Sequence, residues 1–211
     1  ERVLDIGAGI GGPARWIAAT FGCQVTGVEL KPEFCDAAAE LNAATGLADR
    51  VRVIEGNALA LPLSDSDFDM AYSHNVVMCV AEKVALYREA FRVLRPGGKL
   101  AVVGYGAGRS GPPHHPCPWS VQASGTFLSA LDQIRADLEA AGFEVVLLRD
   151  TTVALLPALQ EQRRYLERGE PARLGLHVLV GPGMPQRQIN AARSMEEGRL
   201  TTFEVLARRP V

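Results

Sequence analysis

The chain has 211 residues, 47% hydrophobic and 22% charged, with a formal net charge of −2. This is the composition of an ordinary globular domain with a sizeable core, and it carries no electrostatic footprint for nucleic acid. No apolar run approaches the ~20 residues that cross a bilayer, so neither a nucleic-acid nor a membrane partner is expected.

The first element reads as a short buried strand, Val3 to Ile6, with one acid, Asp5, inside it. Gly7-Ala8-Gly9-Ile10-Gly11-Gly12 follows, and Pro13 is preset for the first turn of a helix that Gly22 stops at about Phe21. Gly7 and Gly9 leave the backbone bare for close approach of a ligand, and Gly12 is expected to let the helix sit tight on the strand. Strand, glycine turn and helix form the geometry of a nucleotide site at the carboxyl end of a parallel strand. Gly7, Gly9 and Gly12 fit the dinucleotide spacing G-x-G-x-x-G.

The second strand is Gln24 to Glu29. Glu29 ends it about twenty residues past Gly9, where an acid meets a ribose and its carboxylate accepts both hydroxyls. An alanine-rich helix, begun by Lys31-Pro32, covers Phe34 to Ala44, and Val51 to Glu55 is the third strand. Phe68 to Ser73 is the fourth, a helix runs from about Val80 to Leu94 with a core stripe of Val84, Tyr87, Phe91 and Leu94, and Lys99 to Tyr105 is the fifth. A Gly- and Pro-rich loop holding His114, His115 and Trp119 comes next, too long for a plain connection. Ser129 and Asp132 read as a capping box for a helix over Ala130 to Ala141. Phe143 to Leu148 is the sixth strand and Thr201 to Ala207 the seventh. Between them, helices over Ala154 to Leu166 and Gln186 to Glu197 make an insertion spanning about 151–199, over the cleft or at a homo-oligomer contact. Arg163, Arg164, Glu167 and Arg168 are expected on its solvated side.

Four cysteines, Cys23, Cys35, Cys79 and Cys117, are spread without a C-x-x-C pair. They read as reduced thiols of a cytoplasmic protein with no metal site, and no signal peptide is visible. The chain begins on a core strand without Met, which points to an amino-terminal segment beyond it.

Leu4-Asp5-Ile6-Gly7-Ala8-Gly9, the Glu29 acid, Gly56-Asn57-Ala58, Leu61-Pro62 before Phe68-Asp69, and Arg92-Val93-Leu94-Arg95-Pro96-Gly97-Gly98 occur in that order. Together they resemble the class I S-adenosylmethionine (SAM)-dependent methyltransferases. Short blocks at Gly11 to Arg15, Pro116 to Ser120 and Asn190 to Arg193 resemble the small-molecule branch that includes sarcosine/dimethylglycine N-methyltransferases and related natural-product enzymes. The resemblance implies a single α/β domain. Its sheet would be Rossmann-like, doubly wound and mostly parallel, with seven strands, an antiparallel last strand and the helical insertion before it. It also implies methyl transfer from SAM to a small acceptor, an amine or, alternatively, an oxygen or carbon of a natural product or quinone precursor. The glycine triplet alone leaves an NAD(P)-dependent oxidoreductase as a second reading, in which the Arg92–Gly98 block has no part.

By the same resemblance Asp5, Gly7, Ala8 and Gly9 shape the methionine end of the cofactor and Glu29 takes the ribose. Leu30, Ala58 and Leu59 flank the adenine, Asn57 stands at its edge where the family has an acid, and Ser73 closes the site near the sulfonium. Asn57 equally suits a turn that satisfies its own backbone, and Arg15 either pairs the methionine carboxylate or is a solvated helix charge. His74, just past the carboxyl end of a central strand, is the candidate base. His114 and His115 share its chemistry. Tyr105 and Trp119, with His114, are candidate acceptor contacts, the two rings by cation–π attraction if the acceptor is a methylated amine.

Overall fold

A computed structural model describes residues 1–169 and 174–211. Seven strands form one sheet: β1 (Arg2–Ile6), β2 (Gln24–Glu29), β3 (Val51–Glu55), β4 (Phe68–His74), β5 (Leu94–Ala107), β6 (Glu144–Asp150) and β7 (Leu200–Arg208). Their order is β3-β2-β1-β4-β5-β7-β6; β1 to β5 run parallel, and β7 is antiparallel to both β5 and β6. The chain leaves the centre at β1, fills one side through β3, then returns to β4, so the switch point lies between β1 and β4. Ligands of open α/β sheets bind beyond the carboxyl ends of the strands at such a point.

The first four helices are α1 (Gly12–Phe21), α2 (Pro32–Ala44), α3 (Lys83–Val93) and α4 (Leu131–Ala140). Helix α3 is amphipathic: Leu86, Tyr87, Ala90 and Val93 are fully buried against Leu4, Leu100 and Phe203 in the main core. Truncating a site such as Leu86 to alanine costs roughly 2–5 kcal/mol. The expected helix over Val80–Leu94 starts later, at Lys83, because Val80 is extended and Glu82 is a non-helical cap; Val84 and Phe91 are only partly buried. The carboxyl end of α3 has a cap the sequence reading missed. The Arg209 guanidinium, from just past β7, donates to the carbonyls of Phe91, Arg92 and Leu94 at 2.9, 3.2 and 2.6 Å and stacks over the Phe91 ring.

Two local expectations are corrected. The amino-terminal cap of α4 is Ala130 with no side-chain bond, so Ser129 and Asp132 form no capping box; the Ser129 carbonyl instead accepts from Ala107 N–H. Gly12 is not the tight contact of α1, since a Cβ there would meet nothing within 4 Å. The close approach is at Gly27, where a Cβ would lie 2.5 Å from the Ala8 Cβ.

Helices α5 (Thr152–Glu167), α6 (Leu176–Val180) and α7 (Met184–Glu196) precede β7, so the insertion is helical as expected; 170–173 within it lie outside the described residues. Arg163 does not face solvent: it donates to Glu196 and ties α5 to α7. The two helices close over the end of β5, with Ala191, Met195 and Leu200 buried beside Tyr105, Trp119 and Leu159.

Candidate functional site

The glycine turn after β1 is held by backbone bonds: Gly7 and Ala8 N–H both donate to the Val28 carbonyl at 2.9 and 3.2 Å. Gly7, Gly9 and Gly11 have φ of 79°, 55° and 75°, a region costly to any side chain. A Cβ on Gly7 would lie 2.4 Å from Val76 Cγ2, whereas on Gly9 it would point into open space. Gly7 is thus required by both packing and backbone, and Gly9 by its backbone alone.

Glu29 turns toward this loop. Its Oε2 accepts Gly9 N–H at 2.9 Å and its Oε1 accepts Lys31 N–H at 3.1 Å, leaving lone pairs on both oxygens. Arg15, expected as a carboxylate partner, is committed elsewhere. Its Nη1 donates to the Ile10 carbonyl at 2.7 Å and to Asn42 Oδ1 at 3.1 Å, and Asn42 in turn bonds the Val51 carbonyl. It clamps the glycine loop to α2 and the start of β3.

Beyond the loop opens a cavity of about 510 Å³. Asp5, Gly7, Ala8, Gly9 and Pro13 line one end, His74, Asn75 and Met78 come from the end of β4, and Tyr105, Pro118 and Trp119 from the end of β5 and its loop. Leu159 and Gln162 of α5, Leu176 and Val180 of α6, and Met184, Gln188 and Ala191 of α7 complete it. Asp5 is 2% exposed and accepts the Tyr72 hydroxyl at 2.7 Å. Burial pushes its carboxyl up to about 7; the Tyr72 bond opposes this and the neighbouring Glu29 charge adds to it. An apolar pocket with a few convergent polar groups and a perturbed acid has the features of a binding site.

His74 faces this cavity, and its Nε2 is 3.3 Å from Asn75 Nδ2, the amide donating. Tyr105 and Trp119 line it as an adjoining pair with ring centroids 4.8 Å apart; the Trp119 Nε1–H donates to Thr126 Oγ1 at 3.2 Å. The other predicted residues are not brought into it. Ser73 is buried to 1% with its hydroxyl unpartnered among the described residues, and the cavity wall at that strand end is His74 and Asn75. His114 is tied to α7, with Nε2 at 2.7 Å from Glu197 Oε2 and its N–H donating to Ser194 Oγ. Asn57 makes the turn anticipated as its alternative, Oδ1 accepting Leu59 N–H at 2.9 Å, and Ala58 and Leu59 pack on the core. Leu30 is 67% exposed beside Glu29, outside the cavity.

Asn75, Met78 and the faces of α5 and α7 were missed. Asn75 directly follows His74, and its φ of 60° marks it as a strained strand end. Met184, Gln188 and Ala191 recur at helical spacing, a stripe readable from sequence only once the insertion is known to cover the site.

A family described as a methyltransferase domain matches residues 4–102, from β1 into β5. Residues 4–102 are a methyltransferase domain. Among curated relatives of the chain, a rice 24-methylenesterol C-methyltransferase 2 is 37% identical over 165 residues, covering 75% of this chain and 45% of the rice protein. The chain spans less than half the length of the curated relatives it matches. The solved structure of the 4+2 cyclase SpnF is 27% identical with a TM-score of 0.78, covering all of this chain and 75% of that one. The same fold is seen in Haemonchus contortus phosphoethanolamine N-methyltransferase 2 in complex with phosphomonomethylethanolamine and S-adenosylhomocysteine. That match has 24% identity and a TM-score of 0.82, covering all of this chain and 49% of that one. In the methyltransferase domain the matched stretch carries the glycine loop, Glu29 and His74, whereas Trp119 and the insertion lie beyond it. No helix among the described residues is long and apolar enough to cross a membrane.

Proposed function

We propose that this chain binds SAM across the glycine loop and transfers its methyl group to a small molecule held in the cavity. The observation that carries this is the junction at Gly9: one residue lines the cavity, bonds Glu29 and has open space where a Cβ would be. The Glu29 oxygens have capacity left for two ribose hydroxyls on the open side of the loop. Asp5, Gly7 and Ala8 would receive the methionine arm inside the cavity, and the buried Asp5 is suited to a cationic group there. Leu30, Ala58 and Leu59 remain the adenine neighbours by position, with Asn57 donating through Nδ2 while its Oδ1 holds the turn.

When bound, SAM supplies a methyl carbon on a sulfonium, a strong electrophile. What the protein adds is alignment, worth about 7–11 kcal/mol when two reactants are held in attack geometry. The insertion helices exclude water from the far wall, and Tyr105 and Trp119 set its shape. Away from the glycine loop, His74 is the cavity-lining group among the described residues able to take a proton from a neutral acceptor, and Asn75 donates to its Nε2. That bond leaves Nδ1, in the matching tautomer, as the ring donor. Proton transfer to Nε2 therefore requires the Asn75 contact to open.

Calorimetric titration with S-adenosylhomocysteine tests the reading. Micromolar-range binding is expected, and Glu29→Ala should weaken it by about 10–100-fold, the value of hydrogen bonds to a charged group. Absence of heat, or equal affinity of the variant, rejects it.

A further inference from the structure

The acceptor end of the cavity tells which chemistry fits there, and this inference rests on the proposed methyl-transfer reading. We infer that the acceptor is an uncharged, mostly apolar molecule carrying one or two hydroxyl or carbonyl oxygens, and neither a phosphorylated nor an ammonium compound.

A phosphate or carboxylate taken out of water needs a cation within hydrogen-bond reach. Among the described residues no lysine or arginine lines the cavity. Three of the described arginines on the insertion are ion-paired with acids that do not line it: Arg163 with Glu196, and Arg193 and Arg199 with Glu197. An ammonium needs a carboxylate or an open aromatic box. Among the described residues the one acid lining the cavity is Asp5, under the glycine loop at the end assigned to the cofactor. Tyr105 and Trp119 do not form a box. Their planes are 33° apart with centroids at 4.8 Å, so each turns a face to the other and the pair offers a single wall. This revises the cation–π role expected for them.

What remains is an apolar surface from Met78, Leu159, Leu176, Val180 and Met184 with two neutral amides, Gln162 and Gln188. Such amides both donate and accept, which suits a hydroxyl or carbonyl and leaves no buried charge unpaired. With Glu29 outside the cavity, a nucleoside held by it would leave the insertion end free for the acceptor.

Three probes of one skeleton decide the matter: 1-naphthol, 1-naphthyl phosphate and 1-naphthylmethylammonium. Trp16→Phe removes the exposed tryptophan on α1, so that Trp119 is the sole tryptophan reporter. Quenching of Trp119, checked by calorimetry on the unaltered chain, should show 1-naphthol binding at least about ten-fold tighter than either charged probe. Gln188→Arg should reverse the order toward the phosphate. Equal or tighter binding of a charged probe to the unaltered chain, or no binding of 1-naphthol up to its solubility, overturns the inference. The ranking is measured without cofactor, so a failure to bind S-adenosylhomocysteine would sink the cofactor reading separately.

Discussion

Replacing Asp5 by asparagine should stabilise the free protein, and only at neutral to alkaline pH. The wild-type carboxyl titrates at about 7 in the folded chain, against an ordinary value of 3.8, because it is buried at the end of β1. A folded-state pKa raised above the unfolded value means that the folded chain holds this proton more tightly. Stability contributed by the group is therefore greatest below the unfolded pKa and falls as pH rises from about 4 to about 7, then levels off. At about 1.4 kcal/mol per pH unit that window amounts to roughly 4 kcal/mol, an upper figure because the surroundings of a buried charge relax. Asparagine is neutral throughout, and its Oδ1 keeps the acceptor for the Tyr72 hydroxyl. Urea unfolding of both proteins at several pH values isolates the effect, since every other titrating group cancels in the difference. Near pH 4 the two should differ by less than about 1 kcal/mol, and near pH 8 asparagine should be ahead by about 2–4 kcal/mol. A difference that stays flat with pH, or an asparagine variant weaker at pH 8, would refute the claim that burial raises the Asp5 carboxyl.

Other perturbations separate packing from binding. Gly7→Ala should cost more stability than Gly9→Ala, whose cost should stay near the ~1–2 kcal/mol of a left-handed alanine; the first clashes with Val76 and the second meets nothing. Beyond that backbone cost, the Gly9 change should show in a binding assay as lost affinity for S-adenosylhomocysteine. Arg209→Ala should lower stability by about 1–3 kcal/mol in denaturant unfolding, because it uncaps α3. The Glu197 carboxylate is held down to about 2, chiefly by hydrogen bonds from Arg193 and Arg199 and then from His114. A lowered folded pKa gives stability that is present above about 4.5 and lost as pH falls toward 2. Protection of the amides in the loop at His114, corrected for the intrinsic pH dependence of exchange, should fall across that range, and Glu197→Gln should remove the change.

The glycine-loop half of the candidate site was legible because its requirements are local. A bare turn, an acid at the next strand end and a helix after it lie within thirty residues, and backbone chemistry fixes each of them. Strand positions were readable for the same reason, down to the ends of β2 and β3. Arg15 was ambiguous because a charge on α1 reaches either solvent or its neighbours, and only the approach of α2 brings Asn42 under it. Ser73 and His74 differ by one residue on a strand, so the side facing the cavity depends on where β4 ends. His114 looked functional because histidines are chemically able; its bond to Glu197 spans 83 residues, and no local pattern announces it. The acceptor wall was hidden for a related reason. Leu159, Met184 and Ala191 read as ordinary helix-packing residues until the insertion is placed over β5.

The proposed function requires the glycine loop to hold a nucleoside through Glu29. The most direct measurement is an amide-resolved NMR titration of the isotope-labelled chain with S-adenosylhomocysteine. The largest shifts should fall on Gly7, Ala8, Gly9 and Lys31, with the Gly9 signal moving as its bond to Glu29 is re-formed around the ribose. Shifts confined to other strand ends, with Gly9 and Lys31 unmoved at saturation, would contradict it.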